Sequence, residues 1–202
     1  MNLLLASTFD KFGDKIDQID ELNLHQKSVI CITTASSVEM NISWLEPEIE
    51  PIRKRSKRFE TYDIAGKSKE TLRENFKSFD VIYVSGGNTY YLLEKVNQSG
   101  FRNVLKDKLE QKCLYLGCSA GAVLICPRID FISLMDDPSK ANLTDYKGLS
   151  LIDYLILPHI DHPSYGEIAN KIAKDLSTGH EKVIGLKDNQ AIYIKDNYIQ
   201  FF

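Results

Sequence analysis

Five small residues, Gly117-Cys118-Ser119-Ala120-Gly121, separate the apolar run Cys113-Leu114-Tyr115-Leu116 from a second one, Ala122-Val123-Leu124-Ile125. A buried strand that enters a helix through so tight a turn leaves few folds open. The pattern is G-x-S-x-G, in which a strained turn lifts the central side chain clear of a sheet. Glycines two positions either side of that residue let the backbone crowd together without Cβ clashes. Ser119 is the central residue, and the N–H of Ala120 is expected to point toward an oxyanion.

The rest of the chain alternates strands with helices. Residues 3–7 and 29–35 read as strands, the second dense in β-branched side chains. Ser36 or Ser37 is expected to cap a helix that runs through Trp44 toward Arg58, bent or shortened by Pro47 and Pro51. Residues 59–64 suggest a third strand and 68–78 a helix. Val81-Ile82-Tyr83-Val84 is a short, fully apolar strand running into Ser85-Gly86-Gly87-Asn88. Helices are expected over 89–97 and 103–112, and an irregular excursion over 129–148. A further apolar run at 152–157 precedes Pro158-His159, a helix is expected over 165–176, and a strand over 183–186. Residues 191–194 and 198–202 alternate about Lys195-Asp196-Asn197 as a closing hairpin. Short apolar strands between helices predict an α/β fold: a mostly parallel sheet with helices on both faces. With 202 residues, 43% of them hydrophobic, the chain is expected to form a single domain, residues 1–202.

A formal net charge of −3 gives no reason to expect nucleic acid or an anionic membrane as partner. The basic cluster Arg53-Lys54-Arg55 and Lys57-Arg58 is flanked by Glu46, Glu48, Glu50 and Glu60, and reads as a solvated helix face. No apolar segment has spanning length, and the opening Met-Asn-Leu-Leu-Leu reads as a strand rather than a signal peptide. Cys31, Cys113, Cys118 and Cys126 lie in apolar surroundings without metal-ligand spacing. Buried, reduced thiols in a cytoplasmic protein are the expectation, with no metal and no organic cofactor.

In an open parallel sheet, functional groups gather beyond the carboxyl ends of the strands. A serine there needs a base within hydrogen-bond reach. His25 and His180 sit among polar residues, whereas His159 directly follows an apolar run; His162 is the reserve. The base in turn needs an acid to hold its tautomer. Asp188 follows the 183–186 strand and fits by topology; Asp136 and Asp137 compete, and Asp161 is too near His159 in the chain to face its ring. Gly86 and Gly87, with Asn88 after them, are candidates for a second oxyanion donor and for substrate binding. Cys118 is one position off the centre of the turn, so it is expected to point into the fold.

Taken together, Val84-Ser85-Gly86-Gly87-Asn88-Thr89, the turn around Ser119, Leu157-Pro158-His159 and Val183-Ile184-Gly185-Leu186-Lys187-Asp188 resemble peptidase family S51. This is the family of peptidase E and the cyanophycinases, and the blocks occur in its order from the first strand to the final hairpin. The resemblance implies a flavodoxin-like fold related to class I glutamine amidotransferases, carrying a Ser-His-acid triad. Ser119 matches the serine, His159 the histidine, and Gly87 with Ala120 the oxyanion hole. The acid of peptidase E is a glutamate in a Gly-Leu-Pro-Glu block, where this chain has Asp188. Cys126-Pro127 is kept, but residues 128–137 do not reproduce the Asn-Asp-Met-Pro pattern that goes with a preference for amino-terminal aspartate. The expectation is therefore a serine peptidase acting on small peptides, aspartyl preference aside. Its rivals are another acyl hydrolase on this fold (amidase, esterase or cyanophycinase-like) and an idle binding relative. The oligomeric state is left open, a homodimer included.

Overall fold

Leucines and β-branched residues at successive positions decide the central sheet, because such runs are stable only when both faces are covered. In a computed structural model, which describes residues 1–179, 181–196 and 198–202, the strands follow in chain order. They are β1 (Asn2–Ala6), β2 (Ser28–Ile32), β3 (Arg58–Tyr62), β4 (Val81–Val84), β5 (Leu114–Cys118), β6 (Leu155–Leu157), β7 (Val183–Gly185), β8 (Ala191–Lys195) and β9 (Tyr198–Phe201). Seven of them form one sheet in the order β3-β2-β4-β5-β1-β8-β9. The five from β3 to β1 run parallel, and β8 and β9 close the sheet antiparallel. The expected α/β architecture is thus present. Asn197, in the expected hairpin turn, and His180, expected among polar residues, lie outside the described residues.

The period-two alternation of the strands divides their side chains between two cores. Leu3, Leu5, Ile82 and Val84 point to one face, which is covered by α3 (Lys69–Phe76), α4 (Thr89–Ser99), α5 (Phe101–Glu110) and α6 (Ala120–Leu124). Leu4, Ala6, Tyr83 and Leu116 point to the other, under α1 (Phe9–Phe12) and α2 (Leu45–Arg55). Each fully buried Leu or Phe contributes roughly 1.5–3 kcal/mol. Between α1 and β2 come short 3-10 turns whose Ile16, Ile19, Leu22 and Leu24 bury on that second face. A last helix, α7 (Gly166–Ser177), follows β6. Among the described residues, no helix is long and apolar enough to cross a membrane.

Two elements depart from expectation. The helix anticipated from Ser36 or Ser37 is a 3-10 turn over Thr34–Val38, and α2 begins only at Leu45. Asn41 is responsible: its side chain accepts from the Ser43 N–H, and its carbonyl accepts from the Trp44 indole. Such local bonds compete with a helix. The second departure is that β6 and β7 are separate from the main sheet and pair in parallel with each other. The free edge of β1 is taken by β8, so β6 finds its partner in β7.

Arg53 pairs with Glu46 and Glu50 on the outer side of α2, as a solvated face would. Glu48 is the correction. It shares the inward stripe of α2 with Ile49 and Ile52 and is 4% exposed.

Candidate active site

Strand register brings the first two groups of the site together. Ala6 pairs with Cys118, so Ser7 and Ser119 leave the sheet side by side, and the Ser119 N–H donates to the Ala6 carbonyl at 3.1 Å. Ser119 takes φ 48° and ψ −109°, a conformation that costs about 1–3 kcal/mol for an L-residue. Close packing of the turn enforces it. A Cβ on Gly121 would stand 2.1 Å from the carbonyl oxygen of Val84, so only glycine allows α6 to start that near β4. Ser119 is thereby turned out of the fold at the first residue before α6.

Pairing of β6 with β7 supplies the next two groups. Leu157 lies opposite Gly185, and the chains continue to His159 and Asp188 on the same side. His159 adopts a left-handed φ of 65°. Its Nε2 lies 3.0 Å from Ser119 Oγ, and its Nδ1 lies 2.8 Å from Asp188 Oδ1. The sequence-predicted serine, histidine and aspartate are therefore in one hydrogen-bonded line. Burial works to raise the Asp188 carboxyl, but the hydrogen bond and charge of His159, with help from Ser7, hold it below its ordinary value. The Asp188 N–H also donates to Asp161 Oδ1 at 2.8 Å, which fixes the loop that carries it.

The other candidates fall elsewhere. His162 lines the same cavity as Ser119, edge-on to His159 and beside Tyr165, but its Nδ1 accepts the Ser164 N–H and it makes no hydrogen bond to Ser119 among the described residues. His25 is exposed. Asp136 Oδ2 accepts the Thr89 N–H at 2.8 Å, and the Asp137 carbonyl accepts from Asn88 Nδ2 at 3.0 Å. The Asp136 carboxylate thus serves the first turn of α4, and the Asp137 carboxylate accepts the Ser139 N–H at 2.9 Å; neither bonds the imidazole. Asn88 is 2% exposed, caps the same helix by accepting the Tyr91 N–H, and lines the cavity beside Gly87. The Cys118 thiol is buried, donates to the Ser7 carbonyl and is pushed up by burial, the opposite of an activated nucleophile.

Gly87 holds the other side of the site. Its φ of 124° and the contact of a would-be Cβ with Ala35 at 2.4 Å both demand glycine. Gly86 N–H donates to Glu48 and Asn88 N–H to the Ala35 carbonyl. The Gly87 and Ala120 N–H groups have no hydrogen-bond partner among the described residues. Gly87 and Ala120 border, with Ser119, His159 and Asp188, one cavity of about 680 Å³, which also takes in Trp44, Lys11, Lys140 and Asp136. Burial pushes the Asp136 carboxyl up, against its bonds to Thr89.

Ser7 and Glu48 escaped the sequence reading. Ser7 Oγ donates to Asp188 Oδ1 at 2.9 Å and accepts the His159 N–H at 2.8 Å. It is fully buried, at the end of β1. Only its place after an apolar strand hinted at this. Glu48 Oε1 accepts the Tyr83 hydroxyl at 2.8 Å and the Gly86 N–H at 3.0 Å. Burial raises this carboxyl, against hydrogen bonds that favour its charged form. A glutamate on the same helical stripe as Ile49 and Ile52 was the available signal.

A strained serine on a strand-to-helix turn, set in an α/β sheet beside a histidine and a carboxylate, is the arrangement of a serine-type peptidase. The chain belongs to peptidase family S51, whose sequence profile matches residues 3–202. It is 34% identical over 195 residues to an uncharacterised peptidase of Listeria monocytogenes, covering 96% of this chain and 94% of the relative. Peptidase E of a Nostoc species is 26% identical over 137 residues, which span 65% of this chain and 55% of that protein. A crystal structure of a candidate peptidase E from Listeria monocytogenes superimposes with a TM-score of 0.91 at 32% identity, covering 100% of this chain and 97% of that one.

Proposed function

We propose that the protein hydrolyses small peptides through a Ser119–His159–Asp188 triad. The observation that carries this reading is the continuous line from Ser119 Oγ through the His159 ring to Asp188 Oδ1, with contacts of 3.0 and 2.8 Å. Ionised Asp188 accepts from Nδ1–H, which leaves Nε2 free to take the serine proton. Ser119 Oγ attacks the peptide carbonyl carbon, and the C–O bond forms as the carbonyl oxygen becomes anionic. The Gly87 and Ala120 N–H groups receive that oxyanion. His159 then hands its proton to the amine nitrogen as the C–N bond breaks. Water, deprotonated by the same imidazole, releases the acyl group from Ser119.

A cavity of about 680 Å³ fits a di- or tripeptide, in the usual size range for small-ligand sites. The four buried free cysteines suit a reducing, cytoplasmic setting. The test is a panel of unblocked dipeptides and tripeptides run against casein and simple esters. Peptide turnover without casein cleavage supports the reading, and turnover of the esters alone overturns it.

Ser7 positions the triad. Its hydroxyl ties the Asp188 carboxylate to the His159 backbone, so Ser7→Ala leaves a charged acceptor short of one donor. Hydrogen bonds to charged groups are worth about 1.5–3 kcal/mol, which translates to about tenfold or more in rate. We expect Ser7→Ala to lower kcat by roughly tenfold with KM within about threefold. A lower melting temperature with unchanged kcat contradicts this role.

A further inference from the structure

We infer that Glu48 is a positioning residue for the oxyanion hole, and that it acts by clamping the Gly86–Gly87 segment from beneath. The inference rests on the proposed peptidase mechanism and adds a residue that the mechanism does not itself require.

Three observations carry it. Glu48 is a carboxylate 4% exposed with no cation bridging it among the described residues, although it borders the catalytic cavity. Burying such a group without a counter-ion is costly, and a methionine or leucine would fit an apolar helix stripe at less cost. Besides the Cys118 thiol on β5, its polar partners lie on and just beyond β4, the strand that leads to Gly87. Oε1 accepts both the Gly86 N–H and the Tyr83 hydroxyl, while Oε2 stands 2.7 Å from where a Cβ on Gly86 would be.

The geometry of the loop explains what the clamp does. Gly87 has φ 124°, a region open to glycine but not chosen by it in particular. A Gly-Gly pair left to itself samples many directions for the N–H between its residues. Here the preceding amide is held by Glu48 and the following one, Asn88 N–H, by the Ala35 carbonyl. With both flanking amides fixed, the Gly87 N–H, unpartnered among the described residues and at the cavity wall, is held to one direction. Preorganised donors of this kind act on the transition state rather than on the bound substrate.

The test compares Glu48→Met, which removes the acceptor while filling the space, with Glu48→Gln, which keeps an uncharged acceptor. The readouts are kcat, KM, and affinity for a dipeptide boronic acid (which forms a tetrahedral adduct on the serine) against affinity for the product amino acids. We expect Glu48→Met to lower kcat by about a hundredfold, the usual effect of losing one oxyanion donor, with KM within about threefold. Boronate affinity should fall in parallel and product affinity should hold. Glu48→Gln should lose about three- to tenfold in the same two readouts, since a neutral acceptor makes the weaker bond. Should the methionine variant not fold, the glutamine variant decides the matter alone. A boronate-to-product affinity ratio equal to that of the parent protein overturns the clamp, whatever happens to the melting temperature. If Ser119→Ala retains activity, the mechanism itself fails. If Ser119→Ala is dead and the Glu48 variants keep their kcat, only the clamp fails.

Discussion

Replacing Ser119 by alanine is expected to lower kcat for dipeptide hydrolysis by on the order of 10⁶-fold, the loss that follows when a triad nucleophile is removed. Little else should change. Alanine meets the same φ of 48° as serine does, and the turn is imposed by the packing of Gly121 against Val84 rather than by the hydroxyl. Among the described residues the hydroxyl makes one hydrogen bond, to His159 Nε2, so its loss costs about 1 kcal/mol of stability. Substrate affinity should stay within a few-fold, because the cavity wall loses one hydroxyl and nothing else. A variant that folds, binds peptide and does not turn over is the expected result, measured by steady-state kinetics and thermal unfolding. Retention of more than a few per cent of the parent kcat contradicts the proposed chemistry.

Asp188→Asn is expected to lower kcat by about 10⁴-fold. The reason is the tautomer. Asp188 Oδ1 accepts at 2.8 Å from His159 Nδ1 and at 2.9 Å from the Ser7 hydroxyl. An amide that presents its NH₂ to the ring favours the tautomer protonated on Nε2, which cannot take the Ser119 proton. The sign of the pH effect follows from the same contacts. The Asp188 carboxyl sits below its ordinary value of 3.8 in the folded protein. Its stabilising interactions are therefore complete above about pH 5, where the unfolded carboxylate is almost fully ionised, and are lost as pH falls from there through the folded value. In the parent protein, activity lost on acidification above about pH 5 does not come from protonating Asp188. The measurement is the pH dependence of kcat/KM for parent and variant. If Asp188→Asn keeps kcat within tenfold, Asp188 is not the acid of the triad.

Much of this site is readable from local sequence because its parts sit where strands end. The turn at Ser119 announces itself through glycines at 117 and 121, and Gly87 through the apolar strand before it. His159 and Asp188 follow short apolar runs, and their pairing depends only on β6 lying next to β7. That β6 and β7 leave the main sheet was not readable, since it depends on β8 having claimed the edge of β1. Ser7 and Glu48 were missed for the same kind of reason. Ser7 meets His159 and Asp188 across 152 and 181 residues, and no local pattern encodes that. Glu48 looked solvated beside Arg53 because charge counts ignore helical phase. Its stripe of α2 faces inward, and Tyr83 and Gly86 had donors waiting there. The misplaced start of α2 has a smaller cause: one Asn41 side chain that bonds the backbone two residues on.

The central claim is that Ser119 is the group that becomes acylated. The direct measurement is intact-mass analysis of the protein after reaction with a fluorophosphonate, followed by peptide mapping of the adduct. One phosphonyl group per chain on Ser119, absent in Ser119→Ala and slowed strongly in His159→Ala, is the predicted result. A protein that hydrolyses dipeptides yet carries its adduct on another residue, or forms none, contradicts the account.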